Sequence, residues 1–198
     1  RRNSSSSASN SRASRNVSSA KPSRVVEMCA PEILAPAAAQ AQQNWSTVDV
    51  VYVPTPYDVV DEMLHLAGVG KGDVLYDLGS GDGRIPIAAA KKFGIRATGI
   101  DIDAELVRQA EDNAKNAGVS GLVRFREEDL FKADFRDATV VTLYLQPHLN
   151  LKLRPKLWAE LKPGTRIVSH QFDMGDWLPE KKLERSGRTL YFWTVPPR

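Results

Sequence analysis

A run of acidic and glycine residues at positions 77–84 carries the clearest chemical signal of the chain. Its sequence is Asp77-Leu78-Gly79-Ser80-Gly81-Asp82-Gly83-Arg84. Glycines at alternate positions let a backbone turn tightly and lie against a ligand without Cβ atoms in the way. Asp101 follows 22 residues after Gly79, at the spacing where a carboxylate accepts hydrogen bonds from ribose hydroxyls. Together the two signals favour a nucleoside-binding site over a plain structural turn.

The spacing of these glycines separates two kinds of nucleoside cofactor. Dinucleotide-binding proteins use G-x-G-x-x-G, which brings a helix N-terminus to a pyrophosphate. This chain has G-x-G-x-G, preceded by Asp77. A carboxylate would repel a pyrophosphate but attract the ammonium group of an amino-acid-bearing nucleoside. The pattern therefore favours S-adenosylmethionine, with a hydride-transferring nicotinamide enzyme as a distant alternative.

A third acidic residue follows the next predicted strand. Asp129 lies in the segment Arg126-Glu127-Glu128-Asp129-Leu130. Its carboxylate could accept a hydrogen bond from an adenine amino group, while the N–H of Leu130 donates to the same ring. The alternative is that residues 127–129 form only a solvated loop end. We expect the adenine contact.

Positioning these residues requires strands whose ends meet, and the rest of the chain has the matching pattern. Strands are predicted at Asp73–Asp77, Arg96–Asp101, Leu122–Phe125, Ala138–Leu145 and Thr165–Phe172. Helices are predicted at Arg84–Phe93, Ala104–Ala117 and Asn150–Leu161. Lys182–Glu184 and Arg188–Val195 are typical of a hairpin around Ser186-Gly187. This alternation predicts an α/β fold with a doubly wound, mostly parallel sheet and a C-terminal antiparallel hairpin.

The folded domain is predicted to span residues 48–198, beginning where a valine-rich run gives way to a helix start. Thr55 is the expected N-cap of that helix. Pro56 would occupy the first helical position, where its missing N–H does no harm. Asp58 would then lie near the positive end of the helix dipole.

Residues 1–47 have a different composition. Nine of the first twenty residues are serine, and residues 1–48 carry six basic and two acidic side chains. Such a segment buries too little apolar surface to offset its chain entropy, so we expect a disordered tail. Serine- and arginine-rich, acid-poor composition is also typical of organellar transit peptides. A plain tail on a cytoplasmic protein and an organellar targeting segment are equal alternatives, both ahead of export.

Composition excludes several classes of protein and partner. Hydrophobic residues make up 42% and charged residues 26%, which is typical of a globular domain. The single cysteine, Cys29, excludes an intrachain disulfide and a zinc site built from cysteine pairs. No run approaches the ~18 apolar residues of a membrane-spanning helix. Residues 49–198 carry 21 basic and 22 acidic side chains, so we expect no nucleic-acid partner. We also expect no metal.

Four segments, in order along the chain, resemble the successive motifs of class I S-adenosylmethionine-dependent methyltransferases. They are Asp77–Arg84, Gly99–Asp101, Glu128–Leu130 and Leu161–Gly164. The resemblance implies a Rossmann-like fold whose seven-stranded sheet has its last strand pair reversed. It also implies S-adenosylmethionine as the cofactor, bound by Asp77, Leu78, Gly79, Ser80, Gly81, Gly83, Asp101, Ile102, Asp129 and Leu130.

A narrower resemblance concerns a small group of protein lysine methyltransferases. The segments that carry it are Tyr52–Pro56, Thr139–Leu145, Leu153–Leu157 and Val168–Met174. That group includes an archaeal broad-specificity enzyme and mitochondrial enzymes acting on the ATP synthase c subunit and the adenine nucleotide translocase. The resemblance implies a compact enzyme whose partner is a protein carrying the acceptor lysine. Ser80 departs from the cysteine of many members, at a position where only the backbone is needed.

Lysine methylation needs few catalytic side chains, and the sequence contains no conspicuous general base. A sulfonium is already a good leaving group, so catalysis is mostly alignment of a neutral amine behind the methyl carbon. Tyr52, Thr55, Tyr144 and His170 are the candidates to line the acceptor channel, with Tyr144 and His170 as the catalytic candidates. For Tyr144 the alternative is packing at the sheet edge. For His170 the favoured alternative is a satisfied core histidine.

Other acceptors are less well supported. The segment Leu143-Tyr144-Leu145-Gln146-Pro147 departs from the N/D-P-P-Y/F motif of enzymes that methylate the exocyclic nitrogen of a base. Cys29 lies in the tail, where it cannot act as the nucleophile that pyrimidine-carbon methylation needs. A small-molecule methyltransferase, in which an entry segment of residues 52–56 closes over a pocket, is one alternative. A non-catalytic scaffold that only binds the cofactor is the other.

Overall fold

A computed structural model describes residues 52–185 and 187–198 of the chain. The helices in this part are α1 Tyr57–Leu66, α2 Arg84–Phe93, α3 Ala104–Asn116 and α4 Pro147–Glu160. The strands are β1 Val74–Leu78, β2 Arg96–Asp101, β3 Val123–Glu127, β4 Val140–Leu143, β5 Arg166–His170, β6 Lys181–Arg185 and β7 Arg188–Thr194. The predictions for residues 1–47, for a domain start at residue 48 and for Ser186 lie outside the described residues.

The strands form one seven-stranded sheet in the order β3-β2-β1-β4-β5-β7-β6. Strands β1 to β5 run parallel, and β7 is antiparallel to both of its neighbours. The predicted α/β fold, with its doubly wound sheet and terminal hairpin, is therefore confirmed. Strands β2 and β3 lie on one side of β1, and the strands from β4 onward lie on the other. The direction of strand addition therefore reverses between β1 and β4, and their carboxyl ends mark the switch point where such sheets bind ligands.

Apolar side chains bury both faces of the sheet. Helices α1, α2 and α3 supply one cluster, in which Met63 is fully buried. Helix α4 and the connection between β3 and β4 supply the other, with Phe135, Leu157 and Trp193 fully buried. Burial of one such side chain stabilises the fold by about 1.5–3 kcal/mol, so packing on both faces stabilises the sheet. Among the described residues, none of the helices has the combined length and hydropathy of a membrane-spanning segment.

The start of α1 corrects the prediction that Thr55 is its N-cap. The capping residue is Pro56, without a side-chain cap, and the helix begins at Tyr57. The Pro56 carbonyl accepts the first helical hydrogen bond, from the N–H of Val60 at 2.9 Å. Thr55 Oγ1 lies 3.1 Å from Nδ1 of His170. A hydroxyl turned toward His170 cannot cap its own helix, and Thr55 therefore contacts the end of β5 instead.

Helix α4 begins earlier than predicted, at Pro147 instead of Asn150. Proline suits the first turn because its missing N–H has no helical partner there, and the sequence prediction overlooked this signal. Asn150 is fully buried, and its Nδ2 donates to Ser169 Oγ and to the Phe172 carbonyl, each at 3.2 Å. These hydrogen bonds tie α4 to the loop that follows β5.

Candidate functional site

The glycine turn between β1 and α2 has the geometry that the sequence predicts. Gly79, Gly81 and Gly83 have φ values of +83°, +53° and +79°, in the left-handed region that favours glycine. A Cβ atom on Gly79 would lie 2.6 Å from Leu145, and one on Gly83 would lie 2.4 Å from Phe125. Side chains are therefore excluded at these positions. The turn presents bare backbone at the carboxyl end of β1.

Asp101, at the end of β2, is held in one orientation. Its Oδ2 accepts a hydrogen bond from the Gly81 N–H at 2.8 Å, and its Oδ1 accepts one from the Asp103 N–H at 3.0 Å. Each carboxylate oxygen can accept a second hydrogen bond, which suits a pair of ribose hydroxyls. The adjacent Ile102 side chain is 49% exposed and offers an apolar surface to a base.

Asp77 is the most unusual group of the site. It is only 2% exposed and accepts one hydrogen bond, from Thr142 Oγ1 at 2.7 Å. Burial raises the pKa of Asp77 to about 8, against the lowering effect of the Thr142 hydrogen bond and with a contribution from the charges of Asp101 and Asp82. No basic side chain of the described residues pairs with it. A ligand that brings an ammonium group would stabilise the ionised carboxylate.

The remaining predicted cofactor residues surround this turn. The Leu78 side chain is fully buried, so only its backbone can contact a ligand. Ser80 is 6% exposed, and its hydroxyl is buried without a hydrogen-bond partner. Asp129 Oδ1 accepts from the Phe131 N–H at 2.9 Å, which orders the loop containing Leu130. The Glu128 N–H donates to the Asp101 carbonyl at 2.9 Å, so this loop lies beside the end of β2.

These features fit an amino-acid-bearing nucleoside such as S-adenosylmethionine. The Cβ-free turn leaves backbone exposed to a ligand, the Asp101 carboxylate can accept from ribose, and Asp77 can hold an ammonium group. A dinucleotide fits less well because the Asp77 carboxylate would repel a pyrophosphate. The predicted roles of the individual residues stay predictions.

A second cluster lies at the carboxyl ends of β4 and β5. The rings of Tyr144 and His170 have their centroids 4.0 Å apart, and the Phe172 ring stacks on Tyr144 at 6.4 Å. His170 is fully buried, and burial, together with the charge of Arg188, lowers its pKa to about 4. Its Nδ1 faces Thr55 Oγ1, and its Nε2 has no hydrogen-bond partner. The imidazole is therefore neutral at physiological pH.

The structure brings three of the four predicted acceptor-channel residues together, namely Thr55, Tyr144 and His170. The fourth, Tyr52, packs on the cofactor side: a Cβ on Gly81 would lie 2.2 Å from its ring. Sequence reasoning missed Phe172 as part of the aromatic cluster and Thr142 as the partner of Asp77. Thr142 is directly opposite Asp77 in the β1–β4 register, which no local signal reveals.

Comparison with known proteins agrees with this geometry. A family model described as the ANTKMT methyltransferase domain matches residues 77–181. The chain is 43% identical to a protein-lysine N-methyltransferase of Saccharolobus islandicus over 151 residues, 74% of this chain and 94% of that protein. It is 38% identical to the mouse (Mus musculus) adenine nucleotide translocase lysine N-methyltransferase over 67% of this chain, and spans 57% of that enzyme's length.

A solved structure is also similar. It is described as an RNA methyltransferase of Salinibacter ruber in complex with S-adenosyl-L-homocysteine. The two chains are 59% identical, with a TM-score of 0.73, over 74% of this chain and 95% of that one. The ligand of that protein is the demethylated form of the cofactor that the glycine turn and Asp101 suit here.

Proposed function

Because the chain belongs to the ANTKMT family of S-adenosylmethionine-dependent methyltransferases, we propose that its methyl acceptor is the side-chain amine of lysine in a protein. The observation that carries the proposal is the similarity to the protein-lysine N-methyltransferase of Saccharolobus islandicus, which extends over 94% of that enzyme. Similarity over a whole compact domain includes the acceptor side as well as the cofactor side.

S-adenosylmethionine, when bound, supplies a methyl group on a positively charged sulfur that is a good leaving group. Asp77 would hold the cofactor's ammonium group, and Asp101 would accept hydrogen bonds from the ribose hydroxyls. Ile102 would pack against the adenine ring, which Asp129 and the Leu130 N–H would recognise by hydrogen bonds. The backbone of the glycine turn completes the cradle, since no Cβ lies between it and the ligand.

The aromatic cluster suits a lysine acceptor. Free lysine has a pKa of about 10.4, so the site must favour the neutral amine, and a desolvated aromatic environment does so. Tyr144 and Phe172 supply such a wall at the carboxyl ends of β4 and β5. With a pKa of about 4, His170 is a poor proton acceptor at neutral pH. We therefore assign it to hold the Tyr144 ring in place.

The reaction then needs only alignment. In this reaction the neutral amine would attack the methyl carbon as the carbon–sulfur bond breaks, and the electron pair of that bond would stay on sulfur. The product methylammonium loses its extra proton to solvent. Excluding water and placing the amine in line supply most of the rate enhancement in such a site.

RNA is a second candidate acceptor, because the Salinibacter ruber relative is described as an RNA methyltransferase. The charges of the chain disfavour it. Residues 52–198 carry 21 basic and 21 acidic side chains, and the crevice itself is lined by carboxylates. A nucleic-acid substrate is normally bound by an excess of basic groups against its phosphates.

The proposal is tested by incubating the protein with methyl-labelled S-adenosylmethionine and a cell extract, and mapping the label by mass spectrometry. We expect label on lysine Nζ atoms of a protein, removed by protease and unaffected by ribonuclease. Label that ribonuclease removes would replace the proposal by RNA methylation. A labelled small metabolite would replace it by small-molecule methylation. Binding of S-adenosylhomocysteine without transfer to any fraction would indicate a scaffold.

A further inference from the structure

We propose that Arg84 is a positioning residue that couples the cofactor crevice to the acceptor side, by fastening the entry segment, residues 52–56, to the glycine turn. The inference deepens the proposed function and rests on its cofactor and acceptor sites. Arg84 follows the last glycine of the turn and is the first residue of α2. Its side chain turns toward the entry segment.

Each of the three guanidinium nitrogens of Arg84 donates a hydrogen bond. Its Nε donates to Asp82 Oδ1 at 2.9 Å and its Nη2 to Asp82 Oδ2 at 2.6 Å. Its Nη1 donates to the Thr55 carbonyl at 2.8 Å. The guanidinium carbon also lies 5.0 Å from the centre of the Tyr57 ring. A fork to a carboxylate plus a third, divergent bond needs the planar geometry of arginine, which lysine cannot reproduce.

Tyr52, at the other end of the entry segment, lies over the same turn. Its ring would be 2.2 Å from a Cβ on Gly81, the glycine whose N–H is held by Asp101. Burial and the neighbouring Asp82 carboxylate raise the pKa of the Tyr52 hydroxyl. The entry segment therefore meets the cofactor turn at two points, Tyr52 on Gly81 and Thr55 on Arg84.

Thr55 connects this assembly to the acceptor side. Its carbonyl accepts from Arg84, while its hydroxyl lies 3.1 Å from His170 Nδ1. His170 in turn packs on Tyr144. A continuous chain of contacts thus runs from the glycine turn through Arg84 and Thr55 to the aromatic cluster. A ligand that orders the turn would bias the position of His170 through this chain.

A second arginine of similar geometry provides a matched control. Arg166 pairs with Asp73, and its Nη1 donates to the carbonyls of Ala67 and Gly68 at 2.8 Å each. Arg166 therefore joins the Asp73 carboxylate to the backbone just after the end of α1. Arg84 makes the equivalent connection just before the start of α1, between the Asp82 carboxylate and the Thr55 carbonyl. Arg166 lies at the amino end of β5, away from the carboxyl ends where the site is formed.

The test follows the His170 ring by NMR while S-adenosylhomocysteine is added. The chain has three histidines, so their ring signals can be assigned from single His→Gln variants. In the unmodified protein we expect the ligand to shift the His170 signals. In Arg84→Lys we expect about tenfold weaker ligand binding and, at saturation, loss of most of that shift. Arg166→Lys should lower the melting temperature yet keep the wild-type shift.

The outcomes separate this inference from the proposed function. If the unmodified protein does not bind S-adenosylhomocysteine, the cofactor site is wrong and the inference falls with it. A second outcome is that the unmodified protein binds S-adenosylhomocysteine while the Arg84→Lys variant, saturated with the same ligand, shows the wild-type His170 shift. In that case the ligand acts on His170 by proximity alone, and only the inference is overturned. If Arg84→Lys does not fold, Thr55→Val decides. It must abolish the shift while S-adenosylhomocysteine still binds, and a retained shift refutes the coupling.

Discussion

The two ends of the β1–β4 strand pair carry the same aspartate–threonine pairing in two different settings. At the amino end, Asp73 accepts from Thr139 Oγ1 at 2.7 Å and from the Gly70 N–H at 2.8 Å. The Asp73 carboxylate also forms an ion pair with Arg166. Every charge in this group is thus neutralised by the protein.

At the carboxyl end, Asp77 accepts from Thr142 Oγ1 at the same distance of 2.7 Å. No arginine or lysine of the described residues pairs with it, and burial raises its pKa to about 8. A buried carboxylate without a countercharge is costly, and proteins keep such groups mainly at functional sites. The comparison indicates that the amino-end pair stabilises the fold, whereas the carboxyl-end pair is set to receive a cation.

The largest expected difference between the two ends concerns their glycines. Gly81→Ala forces a side chain into a position with φ of +53° and against the Tyr52 ring. We expect about a hundredfold weaker S-adenosylhomocysteine binding, measured by calorimetry. Gly70→Ala, at the amino end, meets nothing within 4 Å and should bind normally. Equal binding by both variants would show that the turn does not contact the ligand.

Asp101 and Asp103 provide the next comparison, between two carboxylates at one edge. Asp101→Asn removes the charge that we assign to the ribose, so binding should weaken by about 1.5–3 kcal/mol. Asp103 caps α3, accepting from the Glu105 N–H at 2.8 Å. Asp103→Ala should therefore lower the free energy of unfolding by about 1 kcal/mol and leave binding unchanged. A binding loss confined to Asp103→Ala would reverse the assignment.

The threonines at the two ends, Thr139 and Thr142, test the same comparison with smaller expected changes in free energy. Thr139 Oγ1 donates to Asp73 and accepts from the Val74 N–H at 2.9 Å. Thr139→Val should thus reduce the free energy of unfolding by about 1–2 kcal/mol. Thr142→Val removes the one donor to Asp77 and should weaken ligand binding by about 1 kcal/mol at pH 7. Denaturation and calorimetry on both variants check this. Identical profiles would mean that the two ends do not differ in role.

A further difference between the two ends is a pH dependence of stability. The folded-state pKa of Asp77, about 8, exceeds its ordinary value of 3.8, so the folded protein holds a proton that the unfolded chain has lost. The stability contributed by this proton falls as pH rises through 8. His170 is neutral in the folded protein above pH 6.5, while His170 of the unfolded chain, with its ordinary pKa of 6.5, adds a smaller slope of opposite sign just above that pH. Between pH 6.5 and 8, urea denaturation should show decreasing stability for the ligand-free protein, and Asp77→Asn should remove Asp77's share of that slope.

The sequence predicts those features of the fold and site that depend on residues close together along the chain. Glycines at alternate positions indicate a turn that only glycine can form, and the strand–helix alternation indicates the sheet. Contacts across the sheet were not predictable in this way. Asp77 and Thr142 face each other only because of the register between β1 and β4. Thr55 turns toward His170, whereas the local sequence favours a capping role for its hydroxyl. The role of Arg84 depends on where the entry segment lies.

The most direct test of the account measures S-adenosylhomocysteine binding and unfolding for Asp77→Asn and Asp73→Asn side by side. Asp77→Asn should lose about 2–3 kcal/mol of binding energy, with its free energy of unfolding unchanged or higher because a buried acid is removed. Asp73→Asn should lose stability and keep its affinity within about twofold. If Asp77→Asn binds the ligand as tightly as the unmodified protein, Asp77 does not hold the cofactor's ammonium group and the account is wrong.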